Sequence, residues 1–285
     1  MVYRSPRLLI SCVGEDTSPY HRKILNLFKT IKVFGGELGN EKLVANFVGS
    51  IKKDVKTKLE DIGVNVRIVQ PFDSRSPHCN KLRMLEMEDD YDVLIALDCD
   101  TVVVRDFTRE INPKFFQAKP VNNDPLSIRQ WEGLFSYFNL DCPKKRVETT
   151  GVKQLVTIPY FNSGVLAIPK KYVSQLRDAW GKYARLLMDN YHKMGQIGKY
   201  KYFADQHALS LALADQKIPY KEFPVEMNFS TPIKMKPKFL PHKMHPYILH
   251  YHKYVLNNGL LMKTRFKYAT PNSYIGKVNR FLRRE

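Results

Sequence analysis

The run Val93-Leu94-Ile95-Ala96-Leu97 constrains the fold more than any other feature: five apolar residues without a polar break, followed directly by Asp98-Cys99-Asp100. A strand that is apolar on both faces is buried on both, as in a parallel sheet covered by helices on each side. The preceding residues suit that layout. Residues 7–14 read as a first buried strand ending at Gly14. A helix is expected from Ser18-Pro19, where proline fits the first turn, with Ile24, Leu27, Phe28 and Ile31 at helical spacing up to Gly35-Gly36. A strand over 43–48, a helix over 52–62 stopped by Gly63, and a strand over 64–69 follow. A third helix is expected over 78–88, and the acidic strand over 92–97 is expected to continue through 101–104. Strands alternating with helices predict an α/β fold around a mostly parallel sheet flanked by helices.

The second half is less regular. An aromatic-rich helix is expected over 127–140, strands over 156–158 and 164–168, and helices over 172–191 and 203–214. A proline- and lysine-rich loop covers 232–246 and a short strand 248–250. No internal repeat or flexible linker appears, so the expectation is a single domain, 1–285, in two lobes: about 7–110, about 111–255, and a basic tail over 256–285.

Composition narrows the function. Sixteen Phe, 16 Tyr and 2 Trp exclude a disordered chain. No apolar stretch approaches the ~20 residues of a membrane span, and the first residues lack a secretory hydrophobic region. The expectation is a cytoplasmic protein. Cys12, Cys79, Cys99 and Cys142 show no metal-type spacing and are expected as buried thiols. The 46 Lys+Arg against 28 Asp+Glu leave a net charge of +18, which attracts phosphates without choosing among nucleotide, nucleic acid and anionic membrane.

Open parallel sheets bind ligands beyond the carboxyl ends of their strands, where Asp98 and Asp100 fall. On extended backbone the two share a face while Cys99 turns away. Paired carboxylates repel unless a cation sits between them, and a hard divalent ion that also takes phosphate oxygens answers that need. Lys81 and Arg83, just upstream, are candidates to grip a diphosphate. Two other readings stay open. Asp98-X-Asp100-X-Val102 fits the nucleophile motif of haloacid-dehalogenase-like phosphatases. A non-enzymatic, basic nucleic-acid-binding protein would explain the charge directly, although no specific nucleic-acid motif is present.

Four blocks in order, Leu97-Asp98-Cys99-Asp100-Thr101-Val102, Tyr160-Phe161-Asn162-Ser163-Gly164-Val165-Leu166, Phe203-Ala204-Asp205-Gln206-His207-Ala208-Leu209 and Ile248-Leu249-His250-Tyr251, resemble GT-A-type glycosyltransferases. The likeness is greatest to the family 8-like group of glycogenin and lipopolysaccharide galactosyltransferases, and it spans roughly residues 7 to 255. It implies a GT-A nucleotide-diphospho-sugar transferase fold and a metal-dependent transfer, using Mn2+ or Mg2+. The sugar would pass from a nucleotide-sugar donor, commonly UDP-linked, to a glycan, lipid-linked or protein acceptor.

The same resemblance assigns roles. Asp100 would hold the metal, Asp98 the metal or the donor's ribose and sugar, and His250 the metal, with His252 able to supply or replace that ligand. Cys12, Val13 and Gly14, running into Glu15, would seat the base and ribose, with Tyr20 stacking on the base. Asn162-Ser163-Gly164 would form a turn that brings backbone close to the donor sugar. Asp205 would bind sugar hydroxyls, and Gln206 would lie near the anomeric carbon, implying a retaining reaction. An inverting one would need a base such as Asp124 or Glu132. The family's Gly-X-X-Lys-Pro-Trp run is replaced by Tyr251-His252-Lys253-Tyr254, with Lys253 the substitute on the pyrophosphate. Lys234, Lys236, Lys238 and Lys243 read as a solvated loop or as one that closes over the bound donor. The basic, apolar stretch 274–284 reads as a tail helix packed on the body with its charges outward, with contact to an anionic membrane as the alternative.

Overall fold

The computed structural model describes residues 6–284. Strand β1 (Leu8–Glu15), helix α1 (Ser18–Phe34), β2 (Lys42–Val48), α2 (Lys53–Asp61) and β3 (Val64–Val69) build outward on one side, and β4 (Val93–Asp98) returns to the other side of β1. These four strands are parallel, ordered β3-β2-β1-β4. Strand order therefore reverses at β1, and the register sets Val13 against Asp98 at the two carboxyl ends. Crossovers diverge at such a point and leave a crevice.

The rest of the chain adds β5 (Thr101–Val103), β6 (Phe116–Pro120), α3 (Ile128–Tyr137), β7 (Val147–Glu148), β8 (Val156–Thr157), β9 (Phe161–Pro169), α4 (Lys170–Asn190), α5 (Ala204–Asp215), β10 (Tyr220–Glu222), β11 (Phe229–Ser230), β12 (Ile248–His250) and α6 (Ala269–Leu282). The main sheet runs β10-β6-β9-β4-β1-β2-β3, with β9 antiparallel to both β4 and β6. Side-chain alternation divides the core. Leu9, Leu94 and Ala96 pack with Trp180 of α4 and Leu209 of α5 on one face. Leu8, Ile10, Ile95 and Leu97 pack with Ile24, Leu27 and Phe28 of α1 on the other.

Three expectations change, and the C-terminal stretch takes the packed of its two readings. The strand over 92–104 is two strands in two sheets: the Thr101 hydroxyl donates to the Asp98 carbonyl at 2.7 Å, closing a turn, and β5 pairs antiparallel with β12. The helix over 78–88 is a 3-10 segment, Pro77–Leu85. It buries Cys79, Leu82 and Leu85, whose spacing of three is the period of that tighter helix. Residues 162–164 lie inside β9, not in a turn. The apolar face of 274–284 is spent on the body: α6 buries Ile275 and Val278 against Phe229 and Leu249, leaving Lys277, Arg280, Arg283 and Arg284 exposed.

Candidate active site

The crevice beyond β1 and β4 is a cavity of about 400 Å3. Val13, Gly14 and Glu15 line it from the end of β1, Tyr20 and Lys23 from α1, and Asp98 and Asp100 from the turn after β4. Asn162 and Ser163 of β9, Asp205 and Gln206 of α5, and His250, His252 and Lys253 complete the walls with Lys81. In a molecule with a net charge of +18, this lining carries four carboxylates against three ammonium groups.

Pairing of β12 with β5 sets His250 opposite Thr101 and so beside Asp100. Asp100, His250 and His252 each offer a ligand atom, all within 4.8 Å of one another. A chain of hydrogen bonds fixes the His250 tautomer. The Gly164 N–H can only donate, and it donates to Asn162 Oδ1 at 2.9 Å. That oxygen also accepts from Asn228 Nδ2 at 2.9 Å, which leaves Asn228 Oδ1 facing His250 Nδ1 at 3.0 Å. Nδ1 must therefore carry a proton, and Nε2 is the ring nitrogen that faces Asp100. Buried Nε2 makes no hydrogen bond, and Asp100 Oδ1 lies 3.2 Å from it. An imidazole nitrogen and a carboxylate oxygen at that distance share a proton or, once that proton is lost, offer two lone pairs to a metal cation.

His252 completes the group through an unusual backbone. Its φ of 51° is left-handed, a conformation disfavoured outside glycine. That turn, rather than strand alternation, stacks its ring on His250 with centroids 3.8 Å apart, while Ser230 Oγ holds Nε2 at 2.9 Å. Burial, reinforced by His250, pushes the His252 imidazole down to about 3, so it is a neutral ligand. Burial disfavours an ionised Asp100, but His250 and His252 outweigh it and hold its carboxyl well below the usual range. A carboxylate and two imidazole nitrogens are a donor set that a divalent cation can take.

Asp98 lies outside that group, its Oδ2 3.9 Å from His250 Nε2. It belongs to a second cluster around Lys81. Lys81 Nζ meets Asp98 Oδ2 at 3.0 Å, Ser163 Oγ at 2.8 Å and Asp205 Oδ2 at 3.1 Å, and Ser163 donates to Asp205 at 2.7 Å. All three ammonium protons are thus engaged, so Lys81 is no free grip for a diphosphate. Burial opposes the charge on Lys81, yet Asp98 and Asp205 raise its pKa overall. Burial, with Asp100 adding to it, raises the Asp98 pKa, whereas Lys81 and Ser163 overcome burial at Asp205 and lower it.

Other expected residues fall elsewhere. Cys12 is fully buried behind the cavity wall, its carbonyl accepting from Asn46, because its side chain points into the α1 layer. Arg83 turns outward: its guanidinium donates to the Gln70 and Pro71 carbonyls and pairs with Glu86, since the 3-10 segment places it away from Lys81. Gly164 approaches a protein ring, not a sugar, for a Cβ there would lie 2.5 Å from His250 Cε1. Lys236 and Lys238 both pair with Glu148 and do not line the cavity. Asp124 accepts from Trp131 Nε1, the Leu126 N–H and the Thr157 hydroxyl, which leaves it no freedom to act as a base.

Several lining residues went unread. Lys23 stands on the α1 face toward the cavity, four residues before Leu27. At the rim, Tyr202 packs edge-on against His78 with centroids 4.4 Å apart. Asn228 and Ser230, which orient the histidines, sit in no motif, and only the pairing of β11 with β12 brings them close.

Solved structures share this architecture. The galactosyltransferase LgtC, in complex with donor and acceptor sugar analogs, aligns with a TM-score of 0.56 at 16% identity over 95% of each chain. Mouse xyloside xylosyltransferase 1 aligns at 0.51 and 15% identity over 87% of this chain and 98% of its own. The glycosyltransferase GlyE of Streptococcus pneumoniae TIGR4 aligns at 0.52 and 16% identity over 96% of this chain and 63% of its own. No curated protein sequence matches the chain. The family model of the Rhodobacterales glycosyltransferase domain matches residues 34–217, more than half of the sequence, including Asp98, Asp100, Ser163, Asp205 and Gln206 but not the two histidines. With the fold, that match makes the chain a GT-A glycosyltransferase and a member of the Rhodobacterales glycosyltransferase domain family.

Proposed function

We propose that the protein transfers a sugar from a UDP-linked donor to a hydroxyl of a glycan, lipid-linked or protein acceptor, with Asp100, His250 and His252 holding a divalent cation. The observation that carries this reading is the bare His250 Nε2 set 3.2 Å from Asp100 Oδ1. Two imidazoles suit Mn2+ better than Mg2+, which prefers an all-oxygen shell. When bound, the ion offsets the negative charge that develops on the departing diphosphate.

The chain's own groups supply the remaining roles. Val13, Gly14 and Glu15 border the space for base and ribose, with Tyr20 as the stacking face. Asp98 and Asp205, braced by Lys81, offer carboxylate oxygens to sugar hydroxyls. Lys253 and Lys23 are the remaining cavity ammonium groups, and they balance phosphate charge. Gln206 lies beside Asp205 to orient the anomeric centre. The acceptor oxygen bonds to the anomeric carbon as the bond to the phosphate oxygen breaks, and the leaving phosphate takes the acceptor proton. Retention of configuration follows from this assignment, in which Asp124, spent on three donors, is no base.

Titration calorimetry with UDP, with and without Mn2+, tests the reading. Wild type should bind UDP far more tightly with Mn2+, and Asp100→Asn should lose that gain by on the order of 100-fold or more with an unchanged circular dichroism spectrum. Equal UDP binding in Mn2+ and in chelator would overturn it. Hydrolysis of UDP-, GDP- and CMP-sugars in parallel identifies the donor.

A further inference from the structure

The turn between β7 and β8 displays aliphatic side chains on a loop whose base is tied to the body. Leu155 is 74% exposed, the most of any large hydrophobic residue among the described residues, with Val152 at 44% and Val156 at 46%. The loop is tightly tied. Thr149 N–H donates to the Leu155 carbonyl at 3.1 Å, Gly151 N–H to the Asn122 carbonyl at 2.7 Å and Val152 N–H to the Lys234 carbonyl at 3.2 Å. Beneath it the buried Lys236 ammonium donates to the Thr149 and Leu155 carbonyls at 2.6 and 3.0 Å. These bonds hold the base of the loop and the Leu155 carbonyl from within while the Leu155 side chain faces out.

Charge surrounds the aliphatic tip. Lys153 within the loop and Lys234 beside it are exposed, and Glu148, the acid at its base, is already paired with Lys236 and Lys238. A second copy of this chain would set lysines against lysines, whereas an anionic lipid surface complements both the charge and the apolar tip. We propose that residues 147–157 dock the protein on an anionic bilayer, with Val152, Leu155 and Val156 entering the headgroup–acyl boundary and the lysines lying on the lipid phosphates. This surface is separate from the sugar chemistry, and neither claim depends on the other.

Flotation of the full chain with phosphatidylcholine vesicles, with and without phosphatidylserine, tests the proposal. Anionic vesicles should capture at least about 10-fold more protein than neutral ones, and less at high salt. Leu155→Ser with Val156→Ser should reduce capture about 10-fold at an unchanged circular dichroism spectrum. In Leu155→Trp, emission should shift to shorter wavelength when anionic vesicles are added. Equal capture by both vesicles, capture unaffected by the paired serines, or an unmoved tryptophan emission would each overturn it. So would a wild-type dimer that the serine pair converts to monomer, or capture abolished only by reversing the charges of Lys277, Arg280, Arg283 and Arg284.

Discussion

Gly164 shows how one missing side chain organises the site. A Cβ there would lie 2.5 Å from His250 Cε1 and 2.9 Å from both His250 Nδ1 and Asn162 Oδ1. The same residue's N–H starts the hydrogen-bond chain that leaves His250 Nε2 bare. Gly164→Ala should therefore push the imidazole out of place, lower Mn2+ affinity about 10- to 100-fold and cost about 1–3 kcal/mol of stability. Spin-resonance titration of Mn2+ and urea denaturation measure the two effects. Lys81 teaches the complementary lesson. Its sequence position beside an acidic strand marks a cation near the site, but its partners decide what it does. With each proton on Asp98, Ser163 or Asp205, it fixes two carboxylates in place. The identity of such a residue is legible from sequence, while its allegiance is not.

At the scale of elements, periodic patterning was a reliable guide. In α1, Ile24, Leu27, Phe28 and Ile31 are all buried, as their spacing requires, and Pro19 sits in the first turn. In α4, Val173, Leu176, Trp180, Tyr183 and Leu187 form the same kind of stripe. Helix α3 opens with a capping box in which Ser127 and Gln130 each bond the other's backbone, and it carries Trp131 to Asp124. Ser127→Ala should cost about 1 kcal/mol in urea denaturation with little effect on nucleotide binding, because the cap stabilises the helix without touching the cavity. Patterning misread the segments where two periods compete or where a polar turn interrupts an apolar run. Cys79, Leu82 and Leu85 suit a 3-10 helix, and Cys99-Asp100 splits what reads as one strand.

For the whole molecule, a basic exterior surrounds an acid-lined cavity, so net charge misdirects a reading of the site. The interior also predicts a pH response. His207 is buried among Trp131, Tyr160 and Phe203, its Nδ1 2.9 Å from the Tyr191 hydroxyl, and burial pushes it down to about 4. Unfolded, it titrates near its ordinary ~6.5, so between those values the unfolded chain holds the extra proton and stability falls as pH falls. From pH 7 to pH 5 wild type should lose about 2 kcal/mol more than His207→Phe in paired urea titrations. The sequence alone determined the order of strands and α-helices through β3 and the buried strand β4, though not the 3-10 segment between them. It also brought forward Asp98, Asp100, Asp205, Gln206 and His250 as candidates, the last three through the family resemblance. Such features repeat over a few residues or stand where a buried strand ends, so neighbouring positions suffice to read them. Only the tertiary structure decided that Asp100 joins the histidines while Asp98 joins Lys81, that Asn228 and Ser230 orient the imidazoles, and that Leu155 faces solvent. Those outcomes depend on which distant elements pair and pack, a choice made by the free energy of the whole fold.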